Sequence, residues 1–96
     1  MHYVMCSVRD LKSEVFGTPF CMRSVGVAIR SFDEEVNRKD ENNMMFKHPA
    51  DFHLFQIGEY SDLDASIVSM QPKLLVTGDQ VIRKDFSLPA NGVSVV

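Results

Sequence analysis

Hydrophobic residues fall first into short runs that are typical of β-strands. Residues 2–8 are apolar on both faces, with no glycine or proline, and predict a central strand. Residues 9–17 carry alternating charges and end in the turn signal Gly17-Thr18-Pro19, which predicts a connection. Residues 20–23 then predict a second, short strand.

The clearest helix is predicted from Ser24 to about residue 38. Ser24 is a good N-cap, because its hydroxyl can accept hydrogen bonds from free amides of the first turn. An apolar stripe with helical spacing follows, made of Val25, Ala28, Ile29, Phe32 and Val36. The polar residues 40–43 break this pattern and predict a loop.

The second half of the chain predicts a hairpin. Residues 51–60 (DFHLFQIGEY) are rich in strand formers, residues 61–65 have turn chemistry, and residues 66–70 form the return strand. Pro72 limits that strand, because proline cannot donate a hydrogen bond inside a sheet. Residues 73–77 are a short apolar segment that could add a fifth strand.

This order of elements predicts an α+β fold: an antiparallel four-stranded sheet (β-β-α-β-β) with one main helix packed on one face. Residues 1–84 form a single domain, and residues 85–96 are expected to be a flexible C-terminal tail. One helix covers only part of such a sheet, and the strands carry apolar residues on both faces. A homodimer is a simple way to bury the remaining apolar surface.

Composition limits the classes of function. The 96 residues carry 10 Lys and Arg against 13 Asp and Glu, a net charge of -3, so any nucleic-acid binding must come from a local patch. No run of about 18 apolar residues predicts a membrane span, and the N-terminus lacks a signal peptide, so we expect a cytoplasmic protein. In that compartment, Cys6 and Cys21 are interpreted as two buried free thiols.

The sequence contains no motif that is typical of a catalytic site or a metal site. The histidines His2, His48 and His53 lack the spacing of a zinc site, and no glycine-rich phosphate loop occurs. Cysteines in apolar strands have a raised thiol pKa and are inert. We therefore expect a protein that acts by binding and not as an enzyme, with no metal, no small-molecule cofactor and no membrane partner.

Basic residues in the first third of the chain are the best candidates for binding. Aromatic residues lie near them, and cations interleaved with aromatics can stack bases and follow a nucleic-acid backbone. The alternative is a solvated charged rim with Phe16 and Phe20 in the core, which the interleaved Asp10 and Glu14 favour. The candidate binding residues are Arg9, Lys12, Arg23 and Arg30.

Several segments together resemble a known viral family. Residues 8–14 (VRDLKSE), followed by Pro19-Phe20, resemble the start of the small nonstructural protein of gokushovirus-type microviruses, bacteriophages with single-stranded DNA genomes. The resemblance continues in the ordered motifs Ala28-x-Arg30-x-Phe32, His48-Pro49-x-Asp51-Phe52 and Ile57-Gly58-Glu59-Tyr60, and covers about residues 3 to 82.

The resemblance implies a non-enzymatic accessory protein that acts in the host cytoplasm and is absent from the mature virion. Family members resemble the microvirus protein that switches replication from duplex copying to single-strand production for packaging. The implied partners are single-stranded viral DNA or the replication initiator protein. The alternative is a dimeric module that binds phage or host proteins without contacting DNA. No catalytic residue carries over from the family.

Overall fold

An antiparallel sheet of five strands forms the framework of the protein. The structure is a computed structural model that describes residues 1–83. Its strands are β1 (His2–Asp10), β2 (Val15–Phe16), β3 (Phe20–Met22), β4 (Phe52–Ser61) and β5 (Ile67–Thr77). β1 pairs with β4 on one side and with β2 and β3 on the other, and β5 pairs with the far side of β4. The continuous apolar run of residues 2–8 is thus a central strand, as predicted.

Three helices and one 3-10 turn connect the strands. They are α1 (Val25–Val36), α2 (Met44–Lys47) and α3 (Gly78–Val81), with the 3-10 turn at Pro49–Asp51. Ser24 caps α1 as predicted, because its Oγ accepts a hydrogen bond of 3.2 Å from the Val27 amide. Among the described residues, no helix has the length and apolar character needed to cross a membrane.

The hydrophobic core lies on one face of the sheet. Cys6 and Leu54 from the central strands pack against a buried stripe of α1, formed by Ala28, Phe32 and Val36. The other two helices add partly buried side chains to the same core, among them Met45 and Val81. Because all three helices pack on this side, the described residues place no helix over the opposite face. We call that uncovered surface the open face.

The α+β class is confirmed, but the prediction of a four-stranded β-β-α-β-β sheet is wrong in detail. β1 continues to Asp10, and residues 15 and 16, predicted as connection, fold back as β2. The Asp10 carboxylate accepts hydrogen bonds from the amides of Lys12 (3.0 Å) and Ser13 (3.4 Å), and Glu14 has a φ of 63°. This tight turn reverses the chain and brings β2 alongside the end of β1. The pattern of hydrophobic residues does not predict β2, because the strand depends on this turn.

β5 is one strand where two segments were predicted. Pro72 does not end it, because Met70, Gln71 and Pro72 lie in a bulge opposite Ile57. The short helices α2 and α3 were not predicted, since four residues are too few to show a periodic pattern. The tail predicted for residues 85–96 lies outside the described residues.

Candidate functional site

The strand register arranges the open face in rows that run across the sheet. Directly paired residues of antiparallel strands project to the same face. One row crosses four strands, from Phe16 through Arg9 and His53 to Thr77. The next row runs from Ser7 through Phe55 to Leu74. Residues that are distant in sequence thereby become neighbours on one surface.

Four side chains in these two rows form what we call the open-face cluster: Arg9, Phe16, His53 and Phe55. The rings of Phe16 and Phe55 meet edge to face, with centroids 5.3 Å apart. The Arg9 guanidinium lies over the Phe16 ring, with its carbon 5.2 Å from the centroid, and His53 lies 6.4 Å from Phe55. The cluster is a platform of aromatic rings with a cation beside it.

A buried hydroxyl group anchors the chain segment that follows Phe16. Ser7 lies in the same row as Phe55 and is fully buried. Its Oγ donates a hydrogen bond of 2.7 Å to the Gly17 carbonyl oxygen, which ties the chain just after β2 to the centre of the sheet. Phe16 is 39% exposed and the Phe55 side chain is partly exposed. Both rings are therefore accessible at the surface of the sheet.

A second aromatic contact lies at the other end of the open face. Tyr3 pairs with Tyr60 across β1 and β4, and their ring centroids are 6.3 Å apart. This end is acidic: Asp62 and Asp64 are exposed in the β4–β5 turn. The open-face cluster, in contrast, contains a cation and no carboxylate, so the two ends of the face differ in charge.

At the acidic end, the Asp62 carboxylate binds the N-terminus. The Met1 ammonium donates to Asp62 Oδ1 at 2.6 Å, and the Tyr3 hydroxyl donates to Oδ2 at 3.4 Å. The hydrogen bond from the ammonium is the main cause that lowers the pKa of the Asp62 carboxyl below its ordinary value. This contact joins the start of β1 to the end of β4.

The lowered pKa of Asp62 gives a pH-dependent contribution to stability. A carboxyl whose pKa is lower in the folded chain stabilises the fold above its unfolded pKa, and that contribution is lost as pH falls through the folded pKa. We expect Asp62→Asn to lower the urea midpoint only slightly at neutral pH, because the ion pair is exposed to solvent. The difference in midpoint between the natural protein and the variant should shrink in acid, where the Asp62 carboxylate becomes protonated. Acetylating the Met1 amine should raise the Asp62 pKa in an NMR titration, and an unchanged pKa would contradict the assignment.

The structure separates the four predicted binding cations. Arg9 lies in the open-face cluster, and Lys12 is exposed in the turn that joins β1 to β2, beside the same end of the face. Arg23 is exposed between β3 and α1. Arg30 lies on the outer surface of α1, since the helix turns Ala28 and Phe32 toward the sheet, and α1 covers the other face. None of the four forms an ion pair within residues 1–83.

The charged-rim interpretation is confirmed for Phe20 and wrong for Phe16. The Asp10 carboxylate accepts hydrogen bonds from the local amides of Lys12 and Ser13. Phe20 packs against the core, but Phe16 lies on the open face. Sequence reasoning also missed His53 and Phe55 as candidates. The available signal was their spacing of two residues in β4, which places both side chains on one face of a strand.

The two cysteines are free thiols in different surroundings. Cys6 is buried in the core, and burial is the main cause that raises the pKa of its thiol, which agrees with an inert role. Cys21 is exposed, so the expectation that it is buried was wrong: it lies opposite Met5 and projects to the open face. Within the described residues, no group of three or more His, Cys, Asp or Glu side chains is placed to hold a metal ion.

A groove lies on the covered side of the sheet. It encloses about 600 Å³ between α1, α2 and the sheet, with an apolar floor that includes Phe20, Phe32 and Met45. Its cation, Arg38, is already bound to Glu35 at 2.7 Å and to Asp40 at 3.0 Å. The open-face cluster is therefore the better candidate for an anionic partner.

Comparison with known proteins places the chain in a phage family. No match was found among curated proteins or among solved structures. A family model described as "Phage ORF5 protein" matches residues 3–81, a range that contains the whole open-face cluster and every strand except for His2, the first residue of β1. Because this match covers well over half of the chain, the protein belongs to the phage ORF5 protein family.

Proposed function

We propose that this phage protein binds single-stranded DNA through the open-face cluster and acts, without catalysis, in replication of the viral genome. Its role would be in the switch to single-stranded DNA synthesis and packaging, in the cytoplasm of the bacterial host and outside the mature virion. Membership of a phage family supports the viral setting. The resemblance to the microvirus nonstructural protein supports the replication role.

The observation that carries the proposal is an accessible aromatic platform with an arginine on an uncovered antiparallel sheet. Single-stranded nucleic acids expose their bases, which stack on aromatic side chains, while cations follow the phosphates. Duplex DNA hides its base faces, so its bases cannot stack on exposed aromatic rings. The chemistry of the cluster therefore favours a single strand over a duplex.

The charge balance predicts how such binding depends on salt. With a net charge of -3, the protein has no general attraction for phosphate, so stacking must supply much of the affinity. Arg9 and Lys12 are the cations nearest to the platform. Two or so phosphate contacts on a single strand predict a log-log salt slope of roughly -1 to -2, far shallower than for a basic protein.

Replacing a platform ring should weaken single-stranded DNA binding. We expect Phe55→Leu and Phe16→Leu each to raise the dissociation constant about tenfold or more, because stacking of one base contributes about 1–3 kcal/mol. Arg9→Gln should weaken binding and make the salt slope shallower by about 0.7. Fluorescence anisotropy with a labelled oligothymidine of about 16 nucleotides measures these constants at low and moderate salt.

Lys47→Gln is the matched control, since it removes the same unit charge from an exposed position on α2, on the covered side. It should leave affinity unchanged, and circular dichroism should show that every variant is folded. An equal loss for Arg9→Gln and Arg30→Gln, with no effect of the ring variants, would replace the open-face site by a diffuse cationic surface. Absence of binding by the natural protein at low salt would remove the DNA role altogether.

A second candidate function is a protein-interaction module that binds phage or host proteins. It is favoured by the exposed apolar residues of β5, where Ile67, Val68 and Leu74 are 62%, 64% and 49% exposed. This role predicts that the protein captures the phage replication initiator in a way that is insensitive to salt. Capture that disappears at moderate salt would contradict it.

A further inference from the structure

β5 is the outermost strand of the sheet within the described residues, and most of its residues are exposed to solvent. Each residue from Ile67 to Leu74 is exposed, and in residues 1–83 the strand has β4 as its one partner. Such an edge presents free backbone groups together with apolar side chains, which is a template for another strand.

The hydrogen-bond pattern identifies the groups that point outward. The Ser61 amide donates to the Ser66 carbonyl at 3.0 Å, which marks a bonded pair at the start of the β4–β5 ladder. Bonded and non-bonded pairs alternate in an antiparallel ladder, so Val68 bonds to β4 and its two neighbours do not. Ile67 and Ser69 therefore direct their N–H and C=O groups away from the sheet.

The other half of the edge is blocked. Met70, Gln71 and Pro72 form the bulge opposite Ile57, and Pro72 has no N–H to donate. Bulges, prolines and lysines are the features that prevent edge pairing, and Lys73 follows directly. The segment that can accept a new strand is therefore limited to residues 66–69, and this limit restricts the register.

Charge and symmetry indicate what would occupy this segment. Residues 65–72 contain no ionisable side chain, so neither an acidic nor a basic peptide gains from them, whereas an identical neutral strand meets no repulsion. An antiparallel copy centred on Val68 places Ile67 opposite Ser69, and both of these residues have outward-pointing groups. This register forms about four backbone hydrogen bonds and brings the two Val68 side chains into contact.

We infer that the protein forms a two-fold symmetric dimer in which the β5 edges of two copies pair about Val68. The two sheets then join into one, with both open faces on the same side because directly opposed residues share a face. The tyrosine contacts of the two copies flank the symmetry axis. The inference does not require DNA binding, but where both hold, the two open-face clusters belong to one continuous surface.

Two variants test the dimer without disturbing the core. Val68→Lys places like charges face to face at the axis, and Ser69→Pro removes an outward N–H while leaving the bonds to β4 in place. We expect the natural protein to be a dimer by light scattering, and each variant to raise the dimer dissociation constant at least tenfold. Leu63→Lys, at an 87% exposed position of the same hairpin, is the control and should remain dimeric.

A cross-link tests the register directly. In a Cys21→Ser background, Val68→Cys should oxidise to a covalent dimer, because side chains at a non-bonded pair lie within about 5 Å. Leu63→Cys in the same background should not. A natural protein that stays monomeric at high concentration would overturn the inference, as would a dimer that survives Val68→Lys and is lost in Leu74→Lys. A monomeric Val68→Lys variant that still binds the oligothymidine would separate this inference from the DNA role.

Discussion

Replacing Gly78 with alanine is expected to destabilise the protein by about 3 kcal/mol or more, because the added methyl group would overlap the backbone of Pro49. A Cβ at this position would lie 2.0 Å from the Pro49 carbonyl oxygen and 2.8 Å from its carbon. Both atoms belong to the backbone, so no side-chain rotation relieves the overlap. The two segments that must separate are α3 and the 3-10 turn that leads into β4.

The measurement for Gly78→Ala is the urea midpoint, and Gly26→Ala provides the matched control. A Cβ at Gly26 would meet only the Ser24 hydroxyl, at 3.9 Å. Because alanine is the better helix former, Gly26→Ala should stabilise the fold by about 0.5–1 kcal/mol. The same chemical change is thus expected to act with opposite signs at the two positions. Similar effects at both positions would show that the contact with Pro49 is not tight.

Phe32→Ala is expected to destabilise the fold by about 3–5 kcal/mol, since it removes a ring that is 3% exposed at the centre of the core. The buried core is small, and total stabilities of such domains are about 5–15 kcal/mol, so this loss is a large fraction. Phe32 contacts the covered face of the sheet and not the open-face cluster. The folded fraction of this variant should therefore bind the oligothymidine with unchanged affinity.

Urea denaturation and anisotropy together test Phe32→Ala. Val27→Ala on the same helix is the control, because Val27 is 37% exposed and its truncation should have a small effect on the midpoint. A loss of DNA affinity by folded Phe32→Ala would show that the two faces of the sheet are coupled. That result would argue against an open face that binds as a separate surface.

Elements specified by local signals could be predicted from the sequence. The cap at Ser24 and the apolar stripe through Phe32 predicted α1 to within about two residues, because both signals lie inside the helix itself. β4 was predicted for the same reason, as a run of strand formers between a proline and an Asp-rich turn. The excess of apolar sheet surface over helical cover could also be anticipated, since it follows from the number of elements.

Elements that depend on distant partners could not be predicted. β2 has two residues and exists because the turn at Asp10 returns it to β1. The bulge that keeps Pro72 within β5 depends on the register with β4. Of the four predicted cations, Arg9 lies in the cluster and Arg30 lies on the helix that covers the other face, a separation that sequence proximity hides.

The sequence by itself determined the fold class, the main helix, the central strands and the presence of cations and aromatics near one another. Only the tertiary structure decided that Phe16 faces outward beside Arg9 and joins His53 and Phe55 from the other half of the chain. The physical reason is the strand register: hydrogen bonds between β1 and β4 align residues more than forty positions apart. A shift of β4 by one residue would move His53 and Phe55 to the opposite face, away from Arg9 and Phe16.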